Sequence, residues 1–182
     1  MSIRSMMFSV ALFGFAVPSP AAETLKFDAD NSKVEFVGSK PDGTHDGGFK
    51  KVRAMAVADF DDPSASSLKI EIDTTSLWSD NTKLTNHLKN PDFFDVRKYP
   101  KITFESTEIV PGDEEGTATI HGKMTMLEKT VEVKIPVTVE ADDSRVVVMA
   151  AFAIDRTEWG MDYGQGRVDN EVKIKTQLAF TR

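Results

Sequence analysis

Apolar and polar residues alternate along most of the chain beyond residue 30. The clearest stretch is 131–140, where valine and isoleucine at odd positions oppose mostly charged or polar residues at even positions. Such alternation places every second side chain on the same face of a β-strand, so each strand has one buried and one solvated face. The pattern predicts eight strands, at 32–38, 50–60, 68–73, 101–105, 118–126, 131–140, 146–154 and 168–180.

Segment 74–106 interrupts this alternation. Three leucines recur there at helical intervals: Leu77, Leu84 and Leu88. Ser79 or Asp80 is suited to cap the start of a helix, and the helix should end before Pro91 because the residue preceding a proline avoids the α region. We therefore expect one short helix of about ten residues between the third and fourth strands. Its opposite face is polar, so it must be held by packing.

The single polar face of nearly every strand bears on the architecture. Parallel strands covered by helices would be apolar on both faces, so a parallel sheet is excluded. An antiparallel sandwich and a closed barrel remain, and a barrel of about eight strands either fills with side chains or holds one small ligand. Small or flexible residues on the inner face favour a barrel with internal space: Ala118, Gly122, Met124, Met126 and Ala150. The adjacent Phe93 and Phe94 suggest a plug over that interior.

The N-terminal segment resembles an export signal. Arg4 is followed by the almost wholly apolar stretch 6–17 and by small residues up to Ala22. We expect cleavage after Ala21 or Ala22, which divides the chain into a signal peptide at 1–22 and one domain at 23–182. The alternative is a retained membrane anchor, although the apolar stretch is shorter than the ~20 residues of a spanning helix. The expected mature protein lies in the periplasm or is secreted, without a stable membrane span.

Charge and cysteine content narrow the classes of function. The formal net charge of the 182 residues is −7. An acidic chain without a basic run is poorly suited to nucleic acid or to an anionic membrane surface. The chain has no cysteine, which excludes disulfides, thiolate metal sites, thiol nucleophiles and a lipoprotein anchor. An exported protein of this kind must be stabilised by packing and hydrogen bonds alone.

The three histidines of the chain are candidates for metal binding or for acid-base chemistry. The spacing of His45, His87 and His121 matches no metal-binding motif, and His121 falls on a polar strand face. His45 lies in the glycine-rich connection 38–49, which reads either as a flexible hairpin or as a loop at a barrel mouth that offers His45 or Lys40 to a ligand head group. His87 lies on the predicted helix, where a structural role is the simpler interpretation.

Arg156 belongs to a second conspicuous cluster, with Asp155, Glu158 and Trp159. One interpretation is an ion pair between Arg156 and a neighbouring carboxylate, with Trp159 as an anchor. The other uses the planar fork of donors of Arg156, which suits carbonyl or phosphate oxygens of a ligand. The glycine-containing stretch 160–166 lacks the spacing of a phosphate-binding loop and reads as a mobile loop.

Several segments resemble the YceI family of bacterial polyisoprenoid-binding, lipocalin-like proteins. The resemblance is carried by His87-Leu88-Lys89, Asp92-Phe93-Phe94-Asp95 and Tyr99-Pro100-Lys101-Ile102-Thr103-Phe104-Glu105-Ser106, and Arg156 to Gly160 is similar to a further segment of that family. It implies an all-β fold, an antiparallel eight-stranded lipocalin-like barrel, around an apolar ligand. Two segments depart from the family pattern: Glu128 to Val133 lacks the usual turn glycine and proline, and the first hairpin is longer and more polar.

We therefore expect an exported, non-enzymatic binder or carrier of a long-chain isoprenoid or similar apolar lipid such as a quinone tail, with no other cofactor and no metal. Two alternatives stay open. One is an enzyme that uses His45 or His87 with Asp46, Asp92 or Asp95 as an acid-base pair on an apolar substrate. The other is a protein-interaction module with a filled core. The lipid's identity and the oligomeric state are left open.

The predicted site follows from which side chains point into the barrel. The apolar residues expected to line it are Phe36, Leu68, Ile70, Ile72, Ile102, Phe104, Ile120, Met124, Val133, Ile135, Phe152, Val172 and Ile174, with Phe93 and Phe94 near the helix-covered end. Polar contacts to a head group are expected from His87 and Arg156, with His45 as a further candidate.

Overall fold

The computed structural model describes residues 22–182, so the predicted signal peptide lies outside the described residues. These residues form ten strands and one α-helix, with short 3-10 turns at Pro63–Ala65, Thr74–Ser76 and Arg156–Trp159. The elements are β1 (Glu23–Lys40), β2 (Gly43–Phe49), β3 (Val52–Ala58), β4 (Ser67–Asp73), β5 (Leu77–Ser79), α1 (Thr82–Leu88), β6 (Lys101–Pro111), β7 (Thr117–Met126), β8 (Lys129–Ala141), β9 (Arg145–Asp155) and β10 (Glu171–Thr181).

The strands form a closed antiparallel barrel, because β10 pairs with β1 and completes the sheet. The long strand β1 pairs on its other side with β3 near its start and with β2 near its end. Since β3 pairs with β4 and β2 pairs with β5, β2 and β3 share one position around the barrel, as do β4 and β5. The ten strands thus occupy eight positions, and the predicted eight-stranded barrel with one short helix is confirmed.

One end of the barrel is filled by side chains. Leu25, Val146, Leu178 and Phe180 are buried there, and Phe180 has no exposed surface. The ring of Phe27 meets the ring of Phe180 edge-on, with 5.6 Å between their centroids. Aromatic pairs in this geometry stabilise a core beyond the area they bury. This end is therefore filled by core side chains, and the opposite end bears α1.

Two inward glycines on the wall are covered by aromatic rings. Gly47 on β2 pairs with Phe36, and a Cβ atom built on Gly47 would collide with the Phe36 ring. Likewise, a Cβ atom built on Gly122 of β7 would collide with the ring of Phe104. Gly122 was expected to leave internal space, and that expectation is wrong at this position because Phe104 fills it.

The hairpin between β7 and β8 shows how the chain turns without the family's glycine and proline. Met126 pairs with Lys129, so Leu127 and Glu128 are the two turn residues. Both have positive φ, 52° and 62°. This is the geometry of the primed two-residue turns that suit the twist of a hairpin and that normally favour asparagine or glycine. The turn therefore holds two side chains in a strained backbone region.

Several boundaries differ from those expected from the sequence. β1 begins at Glu23 rather than at residue 32, and β6 ends at Pro111 rather than at residue 105. The glycine-rich stretch read as a flexible hairpin contains β2, which is fixed by pairing with both β1 and β5. The helix is shorter than ten residues, and Asn81 caps it by accepting the Leu84 N–H at 3.1 Å. Asp80 does not serve as the cap because its carboxylate is bonded to His45 and to the backbone N–H of Asp46. The last strand begins at Glu171, since segment 168–170 supplies carbonyls to Arg156.

Within residues 22–182, no helix is both long enough and apolar enough to cross a membrane.

Candidate functional site

The barrel encloses a cavity of about 330 Å³. Its wall is almost entirely apolar and receives side chains from both halves of the sheet. The lining residues are Val34, Phe36, Gly38, Ser39, Lys40, His45, Phe49, Leu68, Ile70, Ile72, Leu84, Leu88, Phe93, Phe94, Ile102, Phe104, Ile120, Met124, Met126, Ile135, Val137, Val148, Ala150, Phe152, Ile154, Arg156, Met161, Val168, Asp169, Val172, Ile174, Thr176 and Leu178. A concave, largely apolar cavity with a few polar groups is the usual form of a small-molecule site.

The strand alternation explains why the wall is apolar. On β6, Ile102 and Phe104 point inward and are buried, whereas Lys101, Thr103 and Glu105 point outward and are exposed. The same period of two runs along β10, where the charged residues face water. A barrel of this strand number is wide enough either to be filled or to hold one ligand. Here the end near Phe180 is filled, and the space lies between that end and α1.

The helix and the residues after it cover the mouth of the cavity. Leu84 and Leu88 of α1 face the cavity, and Phe93 and Phe94 also line it. The ring of Phe94 meets Phe49 of β2 edge-on at a centroid distance of 5.6 Å, which ties the cover to the wall. The Phe94 N–H also donates to the Leu88 carbonyl at 3.0 Å. The cover is therefore a packed element rather than an unattached loop.

The rim on the β1–β2 side is polar. Lys40 and His45 both line the cavity. The Nδ1 atom of His45 lies 2.9 Å from Oδ1 of Asp80, and the Asp46 N–H donates to the other oxygen of that carboxylate at 3.3 Å. This pairing fixes the imidazole at the rim. Its predicted partner Asp46 contributes only its backbone.

Arg156 is the buried cation of the site, with 3% of its surface exposed. Its Nε donates to the Asp169 carbonyl at 3.1 Å, one terminal nitrogen donates to the Met161 carbonyl, and the other donates to Val168 at 3.3 Å. The guanidinium thus ties the connection between β9 and β10 to the barrel. Burial lowers the pKa of Arg156 from its usual value, and the nearby Asp155 opposes that effect.

The carboxylates next to Arg156 do not form the ion pair that one interpretation proposed. Asp155 instead accepts from the backbone N–H of Thr157 at 2.9 Å and from its hydroxyl at 2.6 Å. The Thr157 hydroxyl bond is the main reason that the pKa of Asp155 lies below its usual value. The anchoring role expected of Trp159 is present: this side chain is buried, and its Nε1 donates to the Met124 carbonyl at 3.0 Å.

His87 belongs to an aromatic cluster beside the mouth. Its ring meets Phe93 at a centroid distance of 5.1 Å and Tyr163 at 4.9 Å, both edge-on. Its Nε2 lies 3.0 Å from a carboxylate oxygen of Asp92. The cluster joins α1 to the connection 160–170. Its first part, the stretch 160–166, was expected from its glycines to be mobile. It is held by the ring contact of Tyr163 with His87 and by the bond from Arg156 to the Met161 carbonyl.

The structure brings nearly all the proposed binding residues together around one cavity. Those that line it are Phe36, Leu68, Ile70, Ile72, Phe93, Phe94, Ile102, Phe104, Ile120, Met124, Ile135, Phe152, Val172, Ile174, Arg156 and His45. His87 and Val133 are not among the lining residues. His87 instead contacts Phe93 and Asp92 at the outer side of the cover.

Sequence reasoning missed several lining residues for three different reasons. Phe49 was missed because its strand looked like a turn-rich loop. Leu84 and Leu88 were recognised as the apolar face of a helix, but the sequence does not show which surface that face covers. Met161 and Asp169 lie in an irregular connection, where no periodicity indicates which way a side chain points.

Among residues 22–182, no group of three or more histidine and carboxylate side chains is arranged to hold a metal ion.

Comparison with known sequences identifies one family. The profile described as the YceI-like domain matches residues 25–180. A UPF0312 protein of Pseudomonas putida (strain GB-1) is 36% identical over 80 residues, which span 44% of this chain and 41% of that protein. A UPF0312 protein of Pseudomonas aeruginosa (strain LESB58) is 29% identical over 134 residues, or 70% of this chain and 69% of that protein. The first of these matches thus spans less than half of the relative's length.

Solved structures share the fold. The crystal structure of BcnA from Burkholderia cenocepacia superposes with a TM-score of 0.80 at 27% sequence identity, covering 85% of this chain and 99% of that one. A polyisoprenoid binding domain from Saccharophagus degradans, implicated in plant cell wall breakdown, superposes with a TM-score of 0.70 at 13% identity, covering 88% and 99%. At 13% identity, the second likeness concerns the fold alone.

Proposed function

The chain belongs to the YceI-like domain family, and from that premise we propose that it is an exported, non-enzymatic binding or carrier protein for a long-chain isoprenoid or similar apolar lipid, such as a quinone tail, held inside the barrel. The observation that carries the proposal is the enclosed cavity of about 330 Å³ with an apolar wall. Burying a methylene group is worth ~0.8 kcal/mol, so a long hydrocarbon chain needs few polar contacts to bind such a wall. The polyisoprenoid binding domain of Saccharophagus degradans, which has the same fold, supports this class of ligand.

The polar groups at the mouth suit a head group that accepts hydrogen bonds. A guanidinium has five N–H donors, and the backbone bonds of Arg156 use three of them. Arg156 lines the cavity, so its remaining donors are available to an oxygen atom of the ligand. Lys40 and His45 add donors on the β1–β2 side of the rim. The proposed ligand therefore carries a carbonyl, hydroxyl or phosphate oxygen at the end that lies near Arg156.

The proposal assigns no catalytic step to the histidine–carboxylate pairs formed by His87 and His45. His87 and Asp92 form one pair, but neither lines the cavity in which an apolar substrate would lie. His45 and Asp80 form the other, at the rim, where the carboxylate also accepts from the backbone. A general base must lie within hydrogen-bond reach of the substrate proton that it removes, and a hydrocarbon chain in the apolar interior presents no acidic proton.

The test is extraction of the purified protein with organic solvent after expression of the full chain in a bacterium, followed by mass spectrometry. We expect a prenyl or acyl lipid in near-stoichiometric amount. A clean extract from folded protein, combined with failure to take up a prenol from detergent, would instead support an interaction module with a filled core. Fractionation of the same cells checks export: the processed protein is expected in the periplasm or the medium, and full-length protein in the inner membrane contradicts it.

A further inference from the structure

The seam between β8 and β9 is incomplete. On its other side, β9 pairs with β10 along its whole length, from Arg145 to Asp155. Against β8, however, the ladder runs only from the Ala141–Val146 pair to the Val137–Ala150 pair. Both strands continue beyond that point, β8 through residues 129–136 and β9 through residues 151–155. The barrel wall therefore has an unpaired stretch that begins at Val137.

Pro136 accounts for the position at which the ladder stops. The Val139 N–H donates to the Gly116 carbonyl at 2.6 Å, on the β7 side. Backbone groups point to alternate sides along a strand, and neither ladder of β8 contains a register shift, so the nitrogen of Pro136 points toward β9. Proline has no N–H to donate and is confined to edge-like positions in sheets. The bond that would extend the ladder is thus missing.

An outer groove lies over this part of the wall. A groove on the outer surface is lined by outward-facing residues such as Pro136 and Ala151. Three inward-facing residues, Val137, Ala150 and Thr176, line both this outer groove and the interior cavity. The outer groove and the interior cavity therefore lie on the two sides of the same short piece of wall. Val137 and Ala150 are the last pair of the β8–β9 ladder, so this piece of wall adjoins the unpaired stretch.

The unpaired stretch has defined ends. The Val137–Ala150 pair closes it toward the filled end of the barrel. Toward the mouth, the 3-10 turn that contains Trp159 packs against β8, and the Trp159 indole is bonded to the Met124 carbonyl. Between these limits the outward side chains of β9 are the small Ala151 and Ala153, so β9 places no large side chain over this region. We define this region, between residues 133–136 and 151–154, as the side window.

We propose that the side window is a second opening of the binding cavity, through which the distal end of an apolar chain longer than the cavity leaves the barrel. This inference rests on the proposed function. The mouth near Arg156 holds the polar end of the ligand, so a longer chain must fold back or pass through the wall. The filled end blocks an axial exit, because Leu178 and Phe180 are buried there. The side window is the path that joins the cavity to the outer groove.

An added peptide strand fits the side window less well. Neighbouring strands are spaced ~4.8 Å apart, so a strand inserted between β8 and β9 would need twice that separation along several residues. The two strands are held together by the Val137–Ala150 pair, so an inserted strand would have to separate β8 from β9 directly beside that pair. A single hydrocarbon chain crossing the wall needs space at one level only. The unpaired backbone groups on both edges can be satisfied by water.

A single introduced cysteine tests the window, because the natural chain has none. In Ala151→Cys the thiol stands at the outer edge of the window. The matched control is Met55→Cys, at an exposed position on β3 that borders neither space. Each variant is loaded from detergent with farnesol, a short prenol, or with decaprenol, a long one, and its labelling by a maleimide reagent is followed by mass spectrometry. We expect decaprenol to cause loss of labelling at position 151, farnesol to leave it unchanged, and neither to affect position 55.

The outcomes separate the two proposals. If both prenols bind but position 151 is labelled equally in all states, the side window is wrong and the proposed function stands. If neither prenol binds the folded protein, both proposals fall. The variant Pro136→Val gives a second readout, because it restores the N–H that would extend the ladder. We expect this variant to retain less decaprenol than the natural protein and the same amount of farnesol. If it retains as much decaprenol as the natural protein, the side window is wrong. If the side window instead binds an added peptide strand, a peptide should protect the cysteine at position 151 from maleimide labelling, and decaprenol should not.

Discussion

The two ends of the barrel are built differently. At the filled end, Leu178 and Phe180 are at most 2% exposed and pack with the Phe27 ring. At the mouth, Tyr163 is 47% exposed, and the closing contacts are made by a short helix and two connections rather than by opposed strand faces. The filled end therefore contributes to the stability of the core, and the mouth is the end at which the proposed ligand would enter. A fold of eight strand positions can hold a ligand because only part of its interior is needed for the core.

The largest expected effect is loss of stability from a truncation at the filled end. Phe180→Ala removes a side chain with no exposed surface. Such truncations cost about 3–5 kcal/mol because they combine lost burial with a residual cavity. Denaturant unfolding should show a correspondingly lower midpoint. Phe152→Ala, at a partly exposed position that lines the ligand cavity, is the matched control and should cost clearly less. Equal losses would contradict the division of the barrel into two ends.

Arg156 stabilises the connection between β9 and β10 and also lines the cavity, so its replacement should affect both stability and lipid binding. Arg156→Met keeps much of the side-chain volume and leaves three carbonyls of the connection 161–169 without their donor. Leaving a buried partner unsatisfied costs about 1–3 kcal/mol. We expect a lower unfolding midpoint together with a change in the lipid classes recovered by extraction. Arg156→Lys keeps the charge but not the planar fork, and should restore only part of the stability. An unchanged midpoint in the methionine variant would show that the tether is not structural.

A larger side chain in the cavity should block the ligand while leaving the filled end intact. Ile120 lines the cavity and is buried. In Ile120→Trp the indole takes the place of the hydrocarbon chain, and overpacking costs about 1–3 kcal/mol. Extraction of the folded variant should yield much less lipid than the natural protein. The control is Lys123→Trp, on the outer face of the same strand, which should retain its lipid. Circular dichroism checks that both variants are folded.

The smallest expected effect concerns the turn at the mouth end between β7 and β8. Glu128 has a φ of 62°, a region that costs most residues roughly 1–2 kcal/mol and glycine almost nothing. Glu128→Gly should raise the free energy of unfolding by about 1 kcal/mol, since glycine's greater freedom in the unfolded chain offsets part of the gain. Denaturant midpoints measure this change. A lower midpoint would mean that the Glu128 side chain makes a contact that outweighs its backbone strain.

Much of the wall could be predicted from the sequence because strand alternation fixes which side chains point inward. Ile102 and Phe104, Val172 and Ile174 all follow this rule and line the cavity. The alternation could not reveal β2, because its glycines look like turn formers. Those glycines are needed for packing: a side chain at Gly47 would collide with Phe36, and one at Gly48 would meet the Val34 carbonyl.

The parts of the site that lie outside regular strands could not be derived in the same way. The donors of Arg156 were expected to meet a carboxylate or a ligand, but three of them go to backbone carbonyls that no sequence pattern locates. The incomplete seam beside Pro136 was also invisible, because the proline lies in an otherwise regular alternating strand. Both features depend on which backbone groups face each other after the barrel has closed.

The central claim is that an apolar chain occupies the interior of the barrel. The most direct measurement is nuclear magnetic resonance of isoleucine-methyl-labelled protein bound to farnesol. The account predicts intermolecular Overhauser effects from the prenol methyls to Ile120, Ile135 and Ile174, which line the cavity, and none to Ile109, which does not line it. Overhauser effects only to Ile109 or to exposed side chains, and none to Ile120, Ile135 or Ile174, would contradict the central claim.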